Sequence, residues 1–431
     1  MMGPMRAATA WLMWAIPAAL FLIAFFHRNA PGVMARDLME SFGVTGAVIG
    51  LLSAAYFYAY AGFMIPAGML LEAFGARRVV AAGGALMGVG TLAMGAASGP
   101  APLFAGRFAV GVGAAVTFIG TLKIAAAWFP AERFGFLSAL TATVGVLGAF
   151  VAATPLAVLM ALAGWRGALV TIAAVTLAAS LLCVVVVRDA PAAALCPRPP
   201  ALGSLLRGMG RVLANVHTWP VFLGFFCLYS AMGNLFLWGV PFLRDVYGLT
   251  TARAATIAAA TSLALLASGP LTGFVSDSVV RRRKAPYVAL SGALLSVWIV
   301  FVATLGSAPL GLVTALFFGF GLFGGAFVLT WPIGREVNAP ELGGLAVTVV
   351  NLGGFLGAAL TQAPLGAVLD ARWTGTLTAG GARAYPLDAY RVAFATCAAF
   401  VLGALLLSLL LRETYGRNVW PEAAPGTPGR T

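Results

Sequence analysis

Charge is what this sequence has least of. Only 9% of its 431 residues are Asp, Glu, Lys or Arg, and 61% are hydrophobic, whereas an ordinary soluble domain carries roughly 25% charged residues. A water-facing surface cannot be assembled from that composition. Histidine is almost missing, with His27 and His217 alone, and neither H-E-x-x-H nor G-x-x-x-x-G-K-[ST] occurs, so the usual metallohydrolase and nucleotide-driven pump motifs are absent. Four cysteines, Cys183, Cys196, Cys227 and Cys397, stand at unrelated spacings without a zinc or redox pattern. These absences point away from an enzyme and from a resident metal or cofactor. Acidic residues are scarcer still, 13 against 26 basic ones, for a net charge of +13. In so apolar a chain that excess reports membrane topology rather than nucleic-acid binding.

What is there is a succession of apolar runs of the length that crosses roughly 30 Å of hydrocarbon. They recur from Trp11 almost to Arg412. Turn signals and charges place helices near 11–34, 46–70, 79–97, 102–127, 134–160, 167–187, 218–242, 253–275, 286–306, 309–334, 343–369 and 389–411. The first is too long for the apolar core of a secretory signal and is read as a retained span. Of the 26 basic residues, 16 fall on the side of the termini, seven on the other, and three (Arg28, Arg107, Lys123) inside spans. That asymmetry predicts that both termini are cytoplasmic.

The expected fold is therefore an all-α polytopic membrane protein with twelve transmembrane helices in two six-helix halves, 1–188 and 218–412. A polar, proline-rich central loop over 189–217 and a cytoplasmic tail over 413–431 complete the chain. An internal repeat supports the division. Gly68-Met-Leu-Leu-Glu72 followed by Arg77-Arg78 recurs as Gly273-Phe-Val-Ser-Asp277 followed by Arg281-Arg-Arg-Lys284, each after the second span of a half.

These repeats resemble the loop motif of the major facilitator superfamily, roughly G-x-x-x-D-x-x-G-x-R-R. Here Gly68, Glu72, Gly75, Arg77 and Arg78 form the first copy, with Glu in place of the usual Asp, and Gly273, Asp277 and Arg281 a looser second one. The resemblance implies a conformational latch in which a carboxylate at a helix end pairs with neighbouring guanidinium groups. The stretch Arg28-Asn-Ala-Pro-Gly-Val-Met, the run Gly50 to Gly68 with Tyr56 and Tyr60, and Ala127-Trp-Phe-Pro-Ala-Glu-Arg133 look like the anion:cation symporter and organophosphate antiporter branches. Those branches commonly carry an acid before the first-span arginine, where this chain has His27. The resemblance implies a secondary transporter in a bacterial inner membrane. Gly145-Val-Leu-Gly148 lacks the G-P-x-x-G-G signature of drug:proton antiporters.

A charge inside a span costs about 2.5–3.5 kcal/mol on insertion scales, so a retained one ordinarily faces a wet cavity. Arg28 is the leading candidate: guanidinium grips carboxylate or phosphate through paired hydrogen bonds, and the alternative is an arginine snorkelling to the surface. His27 could titrate near neutral pH or serve as a neutral hydrogen-bonding group. Arg107, in Gly106-Arg-Phe-Ala-Val-Gly-Val-Gly113, resembles the family's R-x-x-x-G-x-G motif, tied by that resemblance to proton movement. Lys123 lies about 24 Å further along the same span, so the two cannot grip one small anion. Lys123 either attracts an anion leaving inward or snorkels. Tyr56 with Tyr60, Asn234 with Trp238, and Asn351 with Gln362 share helix faces and either contact solute or join helices.

No carboxylate occupies the middle of any span, which favours an anionic solute. The expected partners are a small anion, the lipid bilayer and, if coupling runs through His27 or the substrate, protons, with the protein acting as a monomer. A multidrug or metabolite exporter and a non-transporting sensor on the same fold are the alternatives.

Overall fold

The structure is a computed structural model that describes residues 4–130, 133–190 and 202–420. Fourteen of the fifteen α-helices make twelve spans: α1 (Pro4–Phe42), α2 (Gly46–Phe74), α3 (Ala76–Gly95), α4 (Pro100–Ala114) continued by α5 (Thr117–Trp128), α6 (Phe134–Val151) continued by α7 (Thr154–Val186) as far as Gly164, the remainder of α7, α9 (Thr218–Tyr247), α10 (Thr251–Phe274), α11 (Lys284–Ala303), α12 (Leu310–Gly324) continued by α13 (Thr330–Glu336), α14 (Gly343–Ala371) and α15 (Leu387–Leu409). Between them, α8 (Leu202–Ala214) lies in the connection joining the halves. No strand occurs among the described residues. An apolar solvent demands this: each backbone N–H and C=O must be paired within its own segment, and a helix does so. Internal prolines such as Pro31, Pro66, Pro241 and Pro364 persist because neighbouring helices re-satisfy the freed groups.

The two halves meet in a pseudo-symmetric pattern. First span packs on first span, α1 on α9, and the second span of each half packs on the fifth of the other, α2 on α14 and α10 on α6. With twelve crossings both termini lie on one face, the terminal face; the other is the distal face.

Two elements differ from the sequence expectation, the fifth span and the central loop. The spans expected at 134–160 and 167–187 appear as α6 and α7 with a break at Ala152 and Ala153, and α7 turns at Gly164 (φ +68°). The corner expected between 160 and 167 thus falls at Gly164, where a positive φ favours glycine. The loop expected over 189–217 contains α8, which folds by setting Val212 against Ala346 and Val349 of α14 and Arg211 against Glu341 at 3.3 Å. Cys196 and the rest of 191–201 lie outside the described residues, as do 421–431 of the expected tail. The described tail is bound: Asn418 Nδ2 donates to Asn338 O at 2.8 Å and Val419 N to Glu336 O at 2.8 Å.

Candidate functional site

Arg28 sits midway along α1, 7% exposed, where the two halves face each other. Its guanidinium lies over four aromatic rings, Phe25 at 4.1 Å, Phe355 at 4.9 Å, Tyr60 at 5.4 Å and Tyr56 at 5.8 Å, and Nη1 donates to Tyr229 Oη at 3.3 Å. Phe355 on α14 and Tyr229 on α9 come from the second half. Each cation–π contact contributes about 0.5–2 kcal/mol. No described carboxylate pairs with Arg28, and its Nε has no hydrogen-bond partner. The charge is solvated by rings and one hydroxyl, but not neutralised.

Behind it, Arg107 of α4 is 1% exposed. Its Nη1 donates to His27 O and its Nη2 to Arg28 O at 3.4 Å, while its guanidinium lies 4.9 Å from the Tyr56 ring centre. Arg107 therefore fixes the main chain of α1 at the residue that carries the site. His27 points away, into the first half: its Nε2 is 3.2 Å from Thr91 Oγ1 of α3. His27, a candidate substrate-binding residue in the sequence, is turned from the cavity by that geometry and makes a hydrogen bond instead, since neighbours on a helix diverge by about 100°.

A small cavity opens beside Arg28, lined by Asn29, Ser53 and Phe57 from the first half and by Tyr229, Phe236 and Gln362 from the second. Gln362 Nε2 donates to Gly233 O at 3.2 Å and its Oε1 is buried without a partner. Tyr56 and Tyr60 stack at 6.0 Å, and Tyr56 Oη donates to Ala24 O at 3.1 Å. The structure thus brings together Arg28, Tyr56, Tyr60 and Gln362 of the expected residues.

The others lie elsewhere. Asn234 ties α9 to Thr361 of α14 at 2.9 Å within the second half. Trp238 stands edge-on to Tyr385 near the distal face, and Asn351 Oδ1 accepts from Trp331 Nε1 at 3.3 Å, joining α13 to α14. Lys123 is held at the terminal face by Glu72 Oε1 at 3.0 Å and Leu71 O at 2.7 Å. Tyr229, Phe355, Asn29 and Ser53 were not anticipated. Tyr229 and Gly233 lie on the face of α9 beside the one bearing Asn234 and Trp238, so the anticipated stripe was rotated from the cavity.

The distal side is latched. Arg36 pairs with Asp245, Arg244 Nη1 lies 3.9 Å from Asp37, and Thr378 Oγ1 donates to Glu40 at 2.9 Å. Asp370 of the second half accepts the N–H groups of Gly46 and Ala47 at 3.0 and 2.8 Å, capping α2 across the interface. A Cβ at Gly32 would overlap Phe236 O, and one at Gly50 or Gly366 would overlap the backbone of the facing helix. Towards the terminal face, beyond Arg28 and Tyr229, no described hydrogen bond or ion pair joins the halves. The described polar contacts between the halves thus gather on the distal side.

The two motif copies act within their own halves. Glu72 pairs with Lys123 rather than with Arg77 or Arg78. Arg77 Nε donates to Val184 O at 2.9 Å, its backbone N–H goes to Asp189 at 2.7 Å, and Arg78 is exposed. Gly68 and Gly273 have open space around them. In the second copy, Asp277 pairs with Arg283, not the exposed Arg281, and Arg283 also grips Glu336 at 3.2 Å. Burial would lower the Arg283 pKa, but its bonds to Glu336 and Asp277 raise it overall. Burial likewise would raise the Glu413 carboxyl, yet the N–H groups of Arg283, Tyr415, Lys284 and Thr414 hold it below its ordinary value. Only the first copy departs from the expected pairing with neighbouring guanidinium groups, because Lys123 of α5 reaches Glu72 first.

Two pseudo-repeated six-span bundles around a central cavity are the architecture of a multi-pass membrane transporter. The chain belongs to the Major Facilitator Superfamily, whose profile matches residues 18–362. It is 25% identical over 309 residues to a protein of Cupriavidus necator named "probable sulfoacetate transporter SauU", covering 67% of this chain and 72% of that one. It is 26% identical over 167 residues to the membrane sensor protein UhpC of Salmonella typhimurium, covering 38% of each. In fold it matches a bacterial homolog of the human lysosomal transporter Spinster, with TM-score 0.78 at 16% identity over 95% of this chain and 97% of that one.

Proposed function

We propose that this transporter carries a small organic anion of the carboxylate or sulfonate type by alternating access, with Arg28 as the anion-binding group. The observation that carries the reading is a buried guanidinium, in a cavity shared by both halves, with no carboxylate beside it and with Nε unpartnered. A guanidinium in that condition is complementary to a carboxylate or sulfonate oxygen pair. Tyr60, Tyr56 and Phe355 wall the solute, and Gln362 and Ser53 offer further hydrogen bonds. The name of the SauU relative points the same way, to an organic anion. The excess of arginine on the terminal face supports a cytoplasmic placement of both termini in a bacterial inner membrane.

A sensor is the second reading, favoured by the UhpC relative. Both readings require anion binding, so binding is tested first. In detergent, sulfoacetate, lactate or succinate at about 100 times its dissociation constant should stabilise the wild type by about 2.7 kcal/mol, read as a raised unfolding temperature. Arg28→Gln should lose the shift while unfolding cooperatively. A shift that survives Arg28→Gln, or appears only with lipophilic cations, contradicts the proposal.

A further inference from the structure

The connection joining the halves carries a surface that the central cavity does not use. Three faces follow one another around α8. Gly208, Met209 and Val212 dock on α14: Val212 is buried against Ala346 and Val349, Met209 packs on the same cluster, and a Cβ at Gly208 would lie 2.5 Å from a Leu345 methyl. Leu206 and Leu213, seven residues and so nearly two full turns apart, share a second face and are 54% and 38% exposed. Arg207 and Arg211, four residues apart on a third face, are exposed as well. Arg211 pairs with Glu341 at 3.3 Å, whereas Arg207 has no hydrogen bond or ion pair among the described residues.

The apolar face does not end with α8. Val216, in the turn that follows, is 69% exposed, and Trp219 and Leu223, four residues apart on α9, are exposed too. Their side of α9 looks outward. Leu223 stands between Phe222, which closes on Gly353 of α14, and Cys227, whose Sγ lies beside Gly403 of α15. The cavity side of α9 bears Tyr229 instead. Trp219 Nε1 donates to Leu213 O at 2.9 Å, fastening the end of α8 to that outer side. The bilayer-facing surface of α9 therefore runs on into the leucines of α8, at the level where spans leave the hydrocarbon and where tryptophan is favoured.

We propose that α8 is an interfacial anchor that binds the anionic phospholipid surface of the leaflet on the terminal face. Leu206, Leu213 and Val216 enter the boundary between headgroups and acyl chains, as the apolar face of an amphipathic helix does. Arg207 reaches along that boundary to a headgroup phosphate, with which a guanidinium forms paired hydrogen bonds. An anionic headgroup fits better than a zwitterionic one, because the latter brings its own cation to the phosphate. Glu341 cannot serve Arg207 in its place, being engaged by Arg211. The lipid thus holds the second-half end of the connection, whichever solute the cavity takes.

The test uses the full-length protein, one copy per nanodisc, in discs of phosphatidylcholine alone or of phosphatidylcholine mixed with phosphatidylglycerol. Hydrogen–deuterium exchange of the α8 amides is followed, since it reports local opening of that helix. The amides should exchange at least about tenfold more slowly with phosphatidylglycerol than without, as expected for basic residues held at an anionic surface, and the difference should shrink in high salt. Arg207→Gln, an exposed change that leaves the packing on α14 in place, should remove about fivefold of that slowing, the share of one arginine. Arg207→Lys should keep most of it, and Leu206→Asn should speed exchange in both kinds of disc. Equal exchange of the wild type in the two kinds of disc overturns the proposal, as does slowing by phosphatidylglycerol that Arg207→Gln leaves unchanged. Slowing by inorganic phosphate in phosphatidylcholine discs would assign Arg207 to a soluble anion, and slowing confined to discs with two copies would assign the apolar face to a second copy of the chain. Either result overturns it.

Discussion

Arg107 shows how one residue can matter to transport without touching the solute. Its donors are spent on the carbonyls of His27 and Arg28 and its face on Tyr56, so it sets the position of Arg28. Arg107→Gln leaves two buried carbonyls without those partners, a cost of about 1–3 kcal/mol. We predict a lowered unfolding temperature and at least tenfold slower anion flux, with Arg107→Lys recovering part of both because an ammonium can still donate to the carbonyls. Stability lost with flux intact would show that Arg107 merely braces the bundle. At this scale the sequence announces Arg28 and Arg107 clearly, because a charge in an apolar run is rare. It conceals Tyr229 and Phe355, since an aromatic residue in an apolar helix looks the same whether it packs on lipid, on core or on a guanidinium. Arg36-Asp37 and Arg244-Asp245 are the counter-case: the same dipeptide ends the first span of each half, and the structure crosses the two pairs.

Among the elements, the crossings of α1 on α9 and α2 on α14 set the distal closure. Gly32, Gly50 and Gly366 let backbones approach where any Cβ would meet a carbonyl or a main-chain atom of the facing helix. Gly32→Ala must push α1 away from α9 on the distal side and leave the interior of each half untouched. The expected outcome is a longer distance between spin labels at Ser98 and Ser307, exposed distal positions in opposite halves, with little change in unfolding temperature. An unchanged distance would mean that the latch charges alone hold the distal side. The spans themselves are legible because apolar runs of about 20 residues admit one reading in a membrane. The helix α8 was hidden by Gly208, Gly210 and two arginines and forms by docking on α14. The corner at Gly164 falls where the sequence places it, whereas the break at Ala152 and Ala153 leaves no polar signal.

For the whole molecule, charge placement and shape agree. Ion pairs gather at the two ends, where water reaches them, and the middle keeps two arginines with no acid. The chain's membership of the Major Facilitator Superfamily accounts for the two-half architecture; the proposed anion preference rests on those two arginines. The repeat of the Gly68–Arg78 segment as Gly273–Lys284 correctly indicated two halves. The partner of Glu72 did not follow from it, because Lys123 of α5 takes that carboxylate, whereas Asp277 meets Arg283 within its own copy. The most direct test of the central claim is flux into proteoliposomes of labelled sulfoacetate, lactate, succinate and a lipophilic cation, comparing wild type, Arg28→Gln and Arg28→Lys with protein-free vesicles. The account predicts anion flux that Arg28→Gln abolishes and Arg28→Lys retains at a reduced rate, the ammonium keeping the charge but losing the paired geometry. Cation flux indifferent to both changes would contradict it.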